Sequence, residues 1–290
     1  MNNNELTAII KLLDDPDKTV FKIIENKLMG EGCSVVPKLE QEWMNPERNE
    51  LFRTRVEDII HKIQKDDLIS NLSNWKDDDN NLLKGAWIVS KYGFPDISFN
   101  ALSDVFESIS YTSYFSLDKN YSPLEQIKIL NYLIFNKLKF NPCSNRDFLN
   151  PNNSFISHTF EHREGNIVSL AIVYILFANR WNIPIYGINL PKNFIVAYVS
   201  QINNKVLFYI NPFNRGAILN EKEIDFFLKQ QNINSQSQFY NPCSNSITIQ
   251  RLLYSLKNSY IHNKMANKVE DINSMLKVFK KGLSEKIEWE

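Results

Sequence analysis

Cysteine is scarce in this chain, and an excess of either charge is missing. Cys33, Cys143 and Cys243 are odd in number and far apart in 290 residues, which argues against a disulfide framework and for reduced thiols. The 33 basic and 33 acidic side chains cancel to a formal net charge of +0, and no block of like charge is long enough to make a polyanion track. A polyanion therefore finds no electrostatic track, and nucleic acid is not expected as a partner. No stretch approaches the ~20 uninterrupted apolar residues of a membrane span, and the start "MNNNELTAIIKLLDD" lacks a basic segment leading into an apolar run. These absences set the expectation of a cytoplasmic protein that contacts neither nucleic acid nor membrane.

What is present is apolar side chain, at 43% hydrophobic and 12% aromatic residues, enough for one or two substantial cores. The first ~65 residues carry helical periodicity with short breaks. In "LTAIIKLLDD" Leu6, Ile9, Ile10, Leu12 and Leu13 share a broad face, and "DPDKTVFKIIENKLMGEG" restarts after Asp15-Pro16 and stops at glycine. "SVVPKLEQEWM" and "NPERNELFRTRVEDIIHKIQ" repeat the alternation. A charged stretch at 74–81, "NWKDDDNN", is expected as a break. Three apolar helical runs follow, "LLKGAWIVSKYG", "NALSDVFESISYTSYF" and "PLEQIKILNYLIFNKLKF". The Asn-Pro dipeptides of "NPCSNRDFLNPNNS" mark a loop, with Ser154 placed to cap a helix that Gly165 ends. The nearly all-apolar "NIVSLAIVYILFANRW" reads as a core helix.

The period changes at Ile183. "IPIYGINL", "NFIVAYVSQ" and "KVLFYINPF" are β-branched and aromatic runs of strand length, and "INNK" is a hairpin turn between the last two. Asn214-Arg215-Gly216 is expected to end this small antiparallel sheet. The chain then returns to helix in "EKEIDFFLKQQ", "ITIQRLLYSLKNSYIHNK" and "VEDINSMLKVFKKGL". The pentapeptide "NPCSN" occurs at 141 and again at 241; its flanks differ and its residues are ordinary turn formers, so the recurrence is taken as chance. Tryptophans and the Phe and Tyr excess are scattered and read as core.

Two resemblances organise these runs. "LLDDPDKTVFKIIENKL" with "VVPKLEQEW" resembles HEAT repeats, in which stacked helix hairpins bury stripes that none buries alone. "LEQIKILNYLIFNKLKFN", "NPNNSFISHTFEHREGNIVSLAIVYILFANRWNIPIYGINLPKNFIVAY", "FYINPFNRG" and "ITIQRLLYSLKNSY" resemble the SirB1, or UPF0162, family of transglutaminase-like proteins. Together they imply an α+β, mainly α, protein. A HEAT-like region spans 1–73, a papain-like transglutaminase core with a small antiparallel sheet spans 80–243, and a helical hairpin of tetratricopeptide-like dimensions spans 244–290.

The resemblance also implies where catalytic groups would stand. Catalytic members of the wider superfamily open the core helix as G-x-C-x-x-x-A; here the frame is Gly165-Asn166-Ile167-Val168-Ser169-Leu170-Ala171, with Ile167 at the thiol position. The imidazole position is Asn193 and the orienting acid position is Asn211. Isoleucine forms no thiolate and asparagine takes up no proton near neutral pH, so nucleophile and base are both missing. The expectation is therefore a non-enzymatic binding or scaffolding module, with a protein partner, no cofactor and a cleft made by Arg163, Gly165, Asn166, Ser169, Asn193 and Asn211. Arg163 is expected to anchor an internal carboxylate or to bind a ligand.

Two enzymatic alternatives use other residues. Ser169, Cys143 or Cys243 could replace the nucleophile, although Ser169 lies about 200° around the helix from Ile167. "HTFEH" matches the H-x-x-E-H pattern of inverzincins, so His158 and His162 could hold zinc with Glu161 as general base and Glu221 or Glu223 as a third ligand.

Overall fold

The computed structural model describes residues 3–79, 81–111 and 121–280. The chain divides into two compact units, Met1–Asn71 and Leu72–Glu290. In the first, α1 (Asn3–Lys11), α2 (Lys18–Glu31), α3 (Val36–Trp43) and most of α4 (Glu50–Asn74) bring their apolar stripes together. Ile10, Leu13, Leu28, Leu39, Phe52 and Val56 are fully buried at the centre. Asp17 starts α2 by accepting the Thr19 N–H, and Gly32, at φ 63°, stops it.

Glu25 is also buried, with its carboxylate held by Lys22 Nζ at 2.6 Å and Lys62 Nζ at 2.5 Å. Burial alone pushes this carboxyl up, but the hydrogen bonds and charges of the two lysines outweigh it and hold it below its ordinary 4.5. A carboxyl lowered on folding contributes stability that is present above its unfolded value and lost as pH falls through the folded one. Urea denaturation should therefore show Glu25→Gln less stable than the parent at neutral pH. The gap should close only as pH drops below about 4.5; a gap that stays constant through that window contradicts this role.

The charged stretch at 74–81 is less of a break than expected. Helix α4 passes into a π-helical turn, Trp75–Asp79, because Trp75 is buried, donates its indole N–H to the Asn81 carbonyl at 2.7 Å and packs its ring on Gly85. Residue 80 lies outside the described residues, as do 112–115 of the second apolar run and the end of the C-terminal hairpin beyond 280.

The second unit begins with α5 (Leu82–Gly93), α6 (Phe99–Tyr111) and α7 (Pro123–Asn131). A reciprocal Ser122–Glu125 capping box opens α7, and its last turns are π-helical, Tyr132–Lys137. A short strand β1 (Asn141–Pro142) pairs in parallel with β2 (Glu164–Gly165), which follows α8 (Ile156–His162) and precedes α9 (Ile167–Arg180). Then β3 (Ile185–Ile188), β4 (Ile195–Val199), β5 (Val206–Asn211) and β6 (Ala217–Leu219) form an antiparallel sheet in that order. Helices α10 (Glu221–Gln230), α11 (Asn245–His262) and α12 (Ala266–Lys280) complete the described chain.

This is an α+β fold, mainly α. Helix α9 is buried without a break from Val168 to Ala178, because it packs against β3, β4, α8 and α11 at once. Every residue of β4 is buried. Ile195 and Ala197 meet Ile224 and Leu228 of α10 on one face, and alternation gives Val196 and Tyr198 to the other.

Three local expectations need correction. Ser154 does not cap α8; Phe155 holds that position without a side-chain cap, and the Ser154 hydroxyl accepts from the Asn166 amide instead. Arg163 in the left-handed region at φ 60°, not Gly165, ends α8, because the residues after it are needed extended for β2. The chain does not return directly to helix after the "NRG" turn, since β6 intervenes. The two "NPCSN" copies share a backbone task. Cys143 N–H donates to the Gly165 carbonyl at 2.9 Å and Cys243 N–H to that of Gly187 at 2.8 Å. The serine that follows each cysteine then accepts the N–H three residues on, Ser144 from Asp147 and Ser244 from Ile247.

Candidate functional site

Asn166 sets the start of α9. Its amide oxygen accepts the N–H groups of Val168 and Ser169, each at 3.0 Å, and its NH2 donates to Ser154 Oγ at 2.8 Å and Ser255 Oγ at 3.1 Å. The side chain is buried with all four capacities used. Ile167 is the next residue, the first of the helix and half-buried. The helix dipole that stabilises a thiolate in this position meets a hydrocarbon side chain. Ser169 is fully buried and donates its hydroxyl to the Asn153 carbonyl at 2.7 Å, so its oxygen is committed to the loop before α8.

Asn193 stands in the turn ahead of β4, and its side-chain oxygen accepts the Phe194 N–H at 2.8 Å. Asn211 is the last residue of β5 and caps the 3-10 turn Pro212–Asn214 by accepting the Asn214 N–H at 3.2 Å. Val196 pairs with Ile210, so the start of β4 and the end of β5 lie side by side. Among the described residues no hydrogen bond joins the two asparagines to each other.

Two brackets tie these three places together. Helix α11 supplies the first: Arg251 and Ser255, one turn apart on the same face, reach the Asn193 carbonyl oxygen through Nη2 at 3.4 Å and the Asn166 amide at 3.1 Å. Strand β1 supplies the second. It pairs with Glu164 and Gly165 just before α9, while Asn141 Oδ1 accepts from Arg215 Nη1 at 2.6 Å in the turn that follows Asn211. Arg215 also donates to the Phe135 carbonyl. Neither Arg251 nor Ser255 stood out in the sequence, because a polar pair at i and i+4 on a helix reads as a solvated face. The signal was their position inside "RLLYSL", whose leucines at 252, 253 and 256 are buried.

Burial dominates the electrostatics here. It pulls the Arg251 guanidinium down to about 10 and pushes the Cys243 thiol up to about 11. Cys143 also rises to about 11, through burial and then the negative charge of Glu164. Neither cysteine has the electropositive setting that activates a thiol. Arg163 anchors no carboxylate among the described residues; its guanidinium lies over the Phe140 ring at 4.9 Å, and buried Nη1 has no hydrogen-bond partner.

The histidine pair does share one helix face, with rings stacked 4.0 Å apart and 15° from parallel. His162 Nδ1 lies 3.1 Å from the His158 carbonyl; an oxygen there can only accept, so Nδ1 carries the proton. Burial and then His162 hold His158 below its ordinary 6.5. Glu161 Oε2 is 3.9 Å from His162 Nδ1, and Glu223 is occupied in the capping box of α10. Among the described residues, no three of His, Cys, Asp and Glu are grouped so that they could hold a metal ion. No helix in the described residues is long and apolar enough to cross a membrane.

A sequence profile described as the Transglutaminase-like superfamily matches residues 100–254. Among curated proteins, the chain is similar to a UPF0162 protein of Xylella fastidiosa, 28% identical over 159 residues that make up 54% of each chain. It is also similar to F-box only protein 21 of Mus musculus, 23% identical over 203 residues, 59% of this chain and 32% of that one. Protein SirB1 of Salmonella typhimurium is 28% identical over 114 residues, 38% of this chain and 41% of the relative. The matches thus span about half or less of the length of these three relatives. No solved structure matches the chain.

Proposed function

The chain belongs to the transglutaminase-like superfamily, and from that premise we propose that it is a non-catalytic binding or scaffolding module whose cleft keeps the superfamily's framework without its chemistry. One observation carries the reading: Ile167, Asn193 and Asn211 occupy the positions where the resemblance calls for thiol, imidazole and carboxylate. Acyl transfer through a covalent intermediate requires a nucleophile beside a base. Isoleucine at the start of α9 offers no electron pair, and both asparagine oxygens accept backbone N–H groups. The alternative nucleophiles are poorly placed: Ser169 is bonded to Asn153, and the thiols of Cys143 and Cys243 have raised pKa values. The partner we assign is a protein, met by the cleft and by helical surfaces. Exposed Met44 and Leu51 of the first unit and Phe226 of α10 are apolar side chains available for such contacts.

Thiol- and serine-reactive probes on the folded protein test this. Exposed Cys33 should label readily with iodoacetamide, whereas Cys143 and Cys243 should lag by about ten-fold or more, and a fluorophosphonate should label no serine stoichiometrically. Rapid one-to-one labelling of any cleft residue, abolished by changing His158 or His162, overturns the binding reading in favour of an enzyme.

A further inference from the structure

We propose that the stacked pair of His158 and His162 is an acid-sensitive latch: it holds α8 closed while His158 is neutral and lets go when His158 takes up a proton. The inference stands beside the non-catalytic reading and does not depend on it. Each ring has a fixed tautomer. His162 Nδ1 donates to the His158 carbonyl at 3.1 Å, so its free electron pair is on Nε2. His158 is half-buried, and its Nδ1 is buried with no hydrogen-bond partner. A proton there would be a donor without an acceptor, so the neutral ring carries its proton on Nε2. The rings thus face each other 4.0 Å apart, 15° from parallel, as opposite tautomers.

A charged His158 has no place in this arrangement. Imidazolium carries N–H on both nitrogens, so the added proton lands on buried Nδ1, where no acceptor waits. A second charge on the facing ring repels it across 4.0 Å. Burial first, and then His162, hold His158 below its ordinary 6.5, against the pull of Glu161 and of Glu164 in β2. Helices α5 and α6 meet α8 through Ser90 and Phe106. Of the ionisable groups on α5, α6 and α9, Tyr92 is bonded to Asp271, Lys91 lies over Trp87, Glu107 is bonded to Arg180 and Tyr174 to Asn131. Neither these nor Lys84 and Asp104 are among the charges that bear on His158, and the turn Pro151–Ser154 has none. No third ligand joins the histidines in a metal-holding group among the described residues, so the rings titrate as free imidazoles.

A histidine held below its ordinary value in the fold binds its proton better once α8 opens. Closure is therefore fully present above about pH 6.5 and is lost as pH falls through the folded value. The release passes along the chain. His162 ends α8, the Arg163 carbonyl accepts the Asn141 N–H at 2.8 Å, the Gly165 carbonyl accepts that of Cys143 at 2.9 Å, and Asn166 then starts α9.

The test follows the full chain, its histidine rings labelled with nitrogen-15, by NMR from about pH 7.5 to about pH 5. At the upper end the proton should sit on Nδ1 of His162 and on Nε2 of His158. His158 should charge only below about pH 6.5. Amide exchange at residues 158–166, corrected for its intrinsic pH dependence, should accelerate in the same window by up to about ten-fold per pH unit. His162→Gln removes the facing charge and should move the His158 step up, whereas Glu164→Gln removes an attraction and should move it down. His158→Phe keeps a flat ring that takes no proton, and its exchange should no longer respond to acid. The same tautomer on both rings, a His158 step at or above about pH 6.5 in the parent, or acid acceleration that persists in His158→Phe overturns the latch. None of these results bears on the non-catalytic reading, which the thiol and serine probes decide separately.

Discussion

Gly216→Ala should cost about 3–5 kcal/mol of folding stability in chemical denaturation, a large effect for one methyl group. Gly216 sits at φ 77° between the 3-10 turn and β6, in the region where an L side chain is strained. The strain is the smaller part. A Cβ built there collides with the side chain of Asn131, which two hydrogen bonds hold in place. Its Nδ2 donates to the Gly216 carbonyl at 2.9 Å, and its Oδ1 accepts the hydroxyl of Tyr174 at 2.8 Å. Tyr174 is fully buried in the middle of α9, where burial pushes its phenol well above the ordinary range. Moving Asn131 aside orphans that hydroxyl, at about 1–3 kcal/mol. Asn131→Ala alone should lose about 2 kcal/mol for the same reason. Because that change also makes room for the new methyl group, the double variant should be less damaged than the sum of the two. A loss under about 0.5 kcal/mol for Gly216→Ala, or strict additivity in the cycle, would show that the turn relaxes freely and that this contact does not fix it.

Much of the fold was legible because its elements are long enough to have a period. The stripe of Ile10, Leu13, Ile24 and Leu28 names the helices of the first unit, and the change from the nearly all-apolar run at 167–178 to β-branched runs after Ile183 names the sheet. Elements of two or three residues have no period, so β1, β2 and β6 were not visible. The π-helical turns escaped for a related reason: an extra residue in a turn is chosen by what it lets a side chain reach, as with Trp75 against Gly85. The site divides in the same way. Ile167, Asn193 and Asn211 are placed as a site by the resemblance alone, and the bonds that hold each of them have no signature in the sequence. Arg163 looked like an ion-pair residue, yet its flat guanidinium lies on Phe140, a contact fixed by the parallel pairing of β1 with β2. Ser154 looked like a cap because serine before a helix usually is one. It serves Asn166 instead, because the start of the buried helix α9 has no water to satisfy it.

That demand on Asn166 leads to the second large effect. Asn166→Ala should destabilise the protein by about 3 kcal/mol, measured by denaturant midpoint at unchanged slope. The loss has two sources: the Val168 and Ser169 N–H groups lose their cap, worth about 1 kcal/mol, and the Ser154 and Ser255 hydroxyls lose a partner inside the unit, worth about 1 kcal/mol each. Asn166→Asp separates them. An aspartate keeps both N–H bonds and places negative charge where the helix dipole favours it, and the two serine hydroxyls can rotate from accepting to donating. It should therefore retain most of the stability that alanine loses. The two variants should also differ in the cleft, since Ser255 is one turn from Arg251 and loses its tie to α9 only in the alanine variant. Amide exchange at residues 251–255 should accelerate in Asn166→Ala and stay near the parental rate in Asn166→Asp. If alanine costs under about 1 kcal/mol, or if exchange is unchanged in both, the cap is local to α9 and α11 holds its place in the cleft by its leucines alone.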